Sequence, residues 1–202
     1  MLGSFIAFLA VLAVVICTPG QDTALTIRNT LGAGRRGGVA TAAGVALGQA
    51  VWTLTASAGL VALLSASEPA FRALKLAGAA YLVYLGAQSL YAALRRHEHT
   101  GSPRGEAVRP ARALRQGVLS NLGNPKMAVF FASLLPQFGD SFLALLALGL
   151  LFCSLTLAWL TLYAFAVDRL RRLLGRPVRR TLDAVTGAVL VALGIRLAAE
   201  ER

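Results

Sequence analysis

Six long apolar runs separated by short polar breaks dominate this chain, and they restrict it to one kind of solvent. They fall at about residues 3–18 with an extension to 33, 38–64, 70–94, 115–138, 142–167 and 182–199; the last is the shortest. A helix crosses a hydrocarbon layer with about 20 residues, so the runs read as spans. Only 14% of residues are charged against 56% hydrophobic, whereas a soluble domain carries about a quarter charged residues. The 29 charged side chains are too few to cover a soluble surface of this size. The reading is an all-α integral membrane protein of six transmembrane helices, forming a single transmembrane domain over 1–202.

A net charge of +11 raises nucleic acid as a partner, but the distribution of the charge excludes it. The basic residues, 18 of 20 arginine, collect between the runs. Arg28, Arg35 and Arg36 lie in the first connection, six arginines from Arg95 to Arg115 in the third, and six from Arg169 to Arg180 in the fifth, which makes 15 of 20. Short cytoplasmic loops hold such an excess, so both termini are expected outside. The first run has no charged segment before it, the first basic residue being Arg28, so it reads as a membrane helix rather than a cleaved leader. Cys17 follows Val-Val-Ile, which does not suit a lipoprotein site.

Two halves of three helices enter the membrane in opposite directions, since an odd number of crossings reverses the chain. This is inverted-repeat geometry. Residues 1–94 form the first half, 95–114 a cytoplasmic loop and 115–202 the second half. Pro19 lies 33 residues before Trp52 and Pro125 lies 34 before Trp159, which gives the repeat internal support.

Both prolines interrupt apolar runs, one within Thr18-Pro19-Gly20-Gln21-Asp22 and one within Asn121-Leu122-Gly123-Asn124-Pro125-Lys126. Proline removes a backbone donor and clashes with the turn before it. Inside lipid such irregular backbone persists only where protein or a water-filled cavity surrounds it. Broken helices 1 and 4 therefore frame a binding site. The second half-helices begin near Gln21 and near Lys126, and two positive ends suit a carboxylate. Carbonyls around Ile16 to Thr18 and Asn121 to Gly123, with the Asp22 carboxylate, suit an ammonium. A zwitterion matches both. The candidate substrate-binding residues are Pro19, Gly20, Gln21, Asp22, Asn121, Asn124, Pro125 and Lys126, with Asp22 also a coupling carboxylate, because ionisable groups at membrane depth are costly and usually functional.

At these residues the chain resembles the LysE/RhtB family of amino-acid exporters, six-helix proteins of the bacterial inner membrane. The resemblance covers nearly the whole chain. It rests on TPGQD at 18–22, IRNTLGAGRRGG at 27–38, KLAGAAYLVYLG at 75–86 and NLGNPKMAVFFASLLPQF at 121–138. It implies a multi-pass secondary transporter that exports an amino acid or similar zwitterion, coupled to protons by antiport, with no cofactor and no enzymatic activity. Gln21 stands where many relatives have a second proline, which makes the first break less rigid.

Gln49 and Trp52 in the second run, and Tyr81, Tyr84 and Gln88 in the third, are candidates for cavity lining or interhelical hydrogen bonding. Ala40, Gly44 and Gly48 form a small-residue stripe that serves close helix packing, within one protomer or across a homodimer. His97 and His99 flank Glu98 in a polar loop with nothing to complete a metal site. No nucleotide-binding G-x-x-x-x-G-K-[ST] occurs. Two other classes compete with transport: a membrane thiol–disulfide protein using Cys17, which needs a second cysteine within a few ångströms, and a structural membrane subunit that does not transport.

Overall fold

The computed structural model describes residues 2–59, 109–139, 141–173 and 176–199, together with scattered positions between 67 and 91. Its described elements are helical. Helix α1 (Leu2–Cys17) and α2 (Gln21–Ala33) are halves of one broken helix, and α3 (Arg35–Ser57) follows. The second broken helix comprises α4 (Pro110–Leu122) and the short α5 (Pro125–Val129), which continues through a π-helical turn (Phe130–Leu134) into a 3₁₀ turn (Leu135–Gln137). Helices α6 (Phe142–Leu173) and α7 (Arg176–Ala199) complete the chain.

By length and composition α3 and the segment Phe142–Arg171 of α6 qualify as membrane spans, and α1 with α2 forms a third, bent by 48° at the break. The predicted 70–94 helix, including Gln88, falls largely outside the described residues, as does the polar loop with His97 and His99. Three predicted boundaries need correction. The 115–138 helix starts earlier, at Pro110, where proline occupies the first turn and its missing N–H costs nothing; the end of the predicted 95–114 loop is therefore helical. The first loop shrinks to Gly34, which links α2 to α3 at φ 75°. The arginines assigned to the fifth loop ride largely on the ends of α6 and α7.

The Gly34 junction is held by α6. Asp168 Oδ1 accepts from the Arg35 amide (3.2 Å) and from Arg171 Nε (2.8 Å), while Arg171 Nη1 donates to the Leu31 carbonyl (3.3 Å). One side-chain pair thus covers the orphan groups of two helix ends. A β-carbon on Gly34 would lie 2.6 Å from Arg171 Nη2.

Helix α3 packs against α4 and α6 along its length. A β-carbon on Gly44 would strike the Leu114 carbonyl, one on Gly117 the Thr41 carbonyl, and one on Gly48 the Asn121 side chain. The small-residue stripe is therefore spent on α3–α4 packing inside the protomer. Phe8, Trp52, Phe130, Phe131 and Phe152 form an aromatic core beside this contact, with Phe130 and Phe152 ring centroids 4.6 Å apart.

Candidate functional site

Each proline leaves a carbonyl without its helical partner, and the repair of those carbonyls builds the site. Pro19 offers no N–H to Val15, four residues earlier. Lys126 replaces it: Nζ donates to the Val15 carbonyl (2.6 Å) and to the Thr18 carbonyl (3.2 Å). Pro125 likewise offers none to Asn121, whose carbonyl accepts instead from Trp52 Nε1 (3.3 Å) and from the Asn124 amide (3.0 Å). Gln21 Nε2 donates to the neighbouring Ser120 carbonyl. A side chain just past one break therefore closes the end of the helix before the other.

Asp22 completes the exchange. Its Oδ1 accepts from Ser120 Oγ (2.8 Å), and its Oδ2 from Asn121 Nδ2 (3.0 Å) and Asn124 Nδ2 (3.2 Å). All three donors are neutral and come from the second break. Asp22 and Lys126 do not pair directly, since each faces uncharged partners. The ammonium expected at the carbonyls ending the first half-helix is thus the protein's own, from Lys126. One of its three N–H groups and one of the four carboxylate lone-pair sites of Asp22 remain for a ligand.

The two half-helix starts differ. Gly20, the residue before α2, has no side chain to cap the first turn, and it lines a cavity of 1290 Å³ together with Gln21, Asp22 and Thr23. Its backbone is extended (φ −140°), and a β-carbon there would meet nothing within 4 Å. The glycine therefore leaves open space rather than serving an unusual backbone conformation. At α5, by contrast, Asn124 caps its own helix by accepting from the Lys126 amide (3.1 Å), and Pro125 has no N–H to offer.

Seven of the eight sequence-predicted residues line this cavity: Pro19, Gly20, Gln21, Asp22, Asn124, Pro125 and Lys126. Asn121 lies behind them, fully buried, and reaches the site only through Asp22. Small-molecule pockets run to about 300–1,000 Å³, so the cavity is large enough to include an approach path. Of the residues weighed for lining, Gln49 does line it, whereas Trp52 sits in the aromatic core, Tyr81 packs beside Ala24 and Leu25, and Tyr84 is exposed. Sequence reasoning missed Ser120 and Thr156. Ser120 adjoins the Asn121 motif, and Thr156 lies three residues before Trp159; neither carries a pattern that separates it from packing serines and threonines. Cys17 is exposed and Cys153 buried, and both are free; Cys153 lies 3.7 Å from the Thr53 hydroxyl.

The model of the LysE type translocator family matches residues 13–201. The chain is 31% identical over 197 residues to the homoserine/homoserine lactone efflux protein of Salmonella typhimurium, covering 95% of this chain and 94% of that protein. It is 30% identical over 203 residues to the threonine efflux protein of Salmonella typhi, 98% of each. With the leucine efflux protein of Salmonella typhimurium it shares 35% identity over 127 residues, 62% of this chain and 58% of that protein. No solved structure matches the chain.

Proposed function

Since the chain belongs to the LysE type translocator family, and is a membrane transporter rather than an enzyme, we propose that it exports an amino acid from the cytoplasm by proton antiport. The carrying observation is the uncapped start of α2, which opens beside Asp22 and Lys126 onto the large cavity. Its first-turn amides are orphan donors at the positive end of a helix dipole, a setting that favours a carboxylate. The remaining Lys126 N–H joins them on the substrate carboxylate, and the remaining Asp22 lone pair receives its ammonium. The efflux activities named for the relatives agree with this substrate class.

We propose six spans in two inverted halves, the first over 1–94 and the second starting at Pro110, with both termini outside a bacterial inner membrane. The length of α1 supports that pairing: its 16 residues and the 13 of α4 put the breaks about 24 Å and about 20 Å from their respective helix starts. Asp22 is the proposed proton carrier. Protonation would turn one carboxylate oxygen into a hydroxyl, leaving fewer and weaker acceptors for its three donors, and so loosen the hold of the second break on the first, so that proton and substrate compete for one hinge.

Proteoliposomes containing the purified protein test the reading. Labelled amino acid should accumulate against its gradient when an opposing proton gradient is imposed. No accumulation of any amino acid, with the protein correctly inserted, would contradict it.

A further inference from the structure

The cavity ends at the level of Asp22. Among the described residues, those of α2 that line it stop at Thr23, and α4 contributes none. Arg72, at the start of the third apolar run, and Arg196, at the end of the sixth, also line it, so in the proposed topology its mouth is on the outer side. An exported amino acid arrives from the other side, where α2 lies packed against α3, α4 and α6.

That packing is polar where it meets α4. Below Asp22, α2 buries Thr26, Asn29 and Thr30, and α4 faces it with Gln116 and Ser120, both buried. Asn29 Nδ2 donates to Gln116 Oε1 and to Thr41 Oγ1 of α3, each at 2.9 Å. Asn29 stands seven residues beyond Asp22, about 10 Å nearer the cytoplasmic end of α2. The other interfaces of α3 have a different character. Against α4, Gly44 and Gly117 bring backbone onto backbone; against α6, Ala42 and Val45 pack on Leu160.

Hydrogen bonds between helices account for the amide nitrogen of Asn29 but not for its oxygen. Asn29 is 1% exposed, and its Oδ1 has no hydrogen-bond partner. An unfilled acceptor in a dry interface is costly, and the cost disappears once the interface opens to water or to a donor.

Resting on the exporter reading, we infer that the seam between α2 and α4 is the cytoplasmic entrance for the substrate, closed in this structure, and that Asn29, Thr41 and Gln116 contact the amino acid as it passes. Parting α2 from α4 breaks the Asn29–Gln116 bond and exposes two carboxamides, each with donors for a carboxylate and an acceptor for an ammonium. They are uncharged, so they replace water around a zwitterion without holding it short of Asp22 and Lys126. Ser120 fastens the deep end of the seam through its bond to Asp22 Oδ1. Occupation of Asp22 and closure of the entrance are linked there.

The test is thiol labelling of the full-length protein with Cys17→Ser and Cys153→Ala, in inside-out membrane vesicles whose cytoplasmic face meets the added reagent. Thr41→Cys, close to threonine in volume, and Gln116→Cys place a thiol in the seam; Ala42→Cys places one a single residue away, toward α6. With a charged, membrane-impermeant methanethiosulfonate, the two seam thiols should react at least about tenfold faster than that at position 42, since only the seam opens. Reaction should also stop uptake of a radiolabelled mixture of the common amino acids into the vesicles. Seam thiols that react no faster than the one at position 42 in variants that still transport, or fully labelled variants that transport within about twofold of unlabelled ones, would overturn the inference and leave the exporter reading standing. Absence of uptake by the correctly inserted wild type would sink the exporter reading, and the entrance with it.

Discussion

The two helix breaks carry similar chemistry, a proline flanked by glycine and polar side chains, yet they have become different devices. At the first, the second half-helix is 13 residues long and begins uncapped behind Gly20. At the second it is a five-residue stub, capped by Asn124 and relaxed at once into a π turn. The first is open to a ligand, while the second supports the first by three hydrogen bonds to Asp22 and two from Lys126. The contrast teaches that a matched pair of breaks need not be a matched pair of sites.

The severest way to break this arrangement is Asp22→Ala, which strands the donors of Ser120, Asn121 and Asn124. Unsatisfied buried groups cost about 1–3 kcal/mol each, so the variant should lose transport and melt well below wild type in detergent. Asp22→Asn keeps an acceptor and should stay folded; it should lose accumulation driven by the proton gradient while retaining some exchange. Uphill export by the Asn variant at the wild-type rate would remove Asp22 from coupling.

Lys126→Met comes next, at about 2–4 kcal/mol for the two carbonyls it uncovers, with weaker binding of every substrate. Because Lys126 and Asp22 face different partners, joining Lys126→Met to Asp22→Asn should not restore exchange. Recovery in the double variant would mean that the two charges neutralise one another and that the cross-bracing is secondary.

Gly34→Ala should cost about 1–3 kcal/mol, since a side chain at positive φ is strained and this one meets Arg171. Trp52→Phe is the mildest, about 0.5–1.5 kcal/mol, because the Asn121 carbonyl keeps its bond from the Asn124 amide. A thermal unfolding series should reproduce the order Asp22→Ala, Lys126→Met, Gly34→Ala, Trp52→Phe. A larger loss from Trp52→Phe than from Lys126→Met would reverse the proposed weight of the two repairs.

Much of this was legible in the sequence because prolines and ionisable groups inside apolar runs are rare and costly there. The break positions, Asp22 and Lys126 followed from that alone. Their partners did not, since Lys126 and the Val15 carbonyl are 111 residues apart and a backbone acceptor leaves no trace in side-chain identity. The asymmetry of the two helix starts was also hidden. It depends on Asn124 turning back to its own helix, whereas its spacing equally suits a ligand contact. At the Gly34 junction, glycines and arginines read as a loop because composition alone cannot show that one left-handed glycine turns the chain directly from helix to helix.

The central claim is that the first break receives substrate and the second holds it in place. Backbone amide ¹⁵N–¹H shifts in lipid nanodiscs, recorded with and without a transported amino acid, test it most directly. The account predicts that the amides of Gln21, Asp22 and Thr23 move strongly on substrate addition while that of Lys126, already bonded to Asn124, moves little. Equal movement at the start of α5, or none at the start of α2, would contradict it.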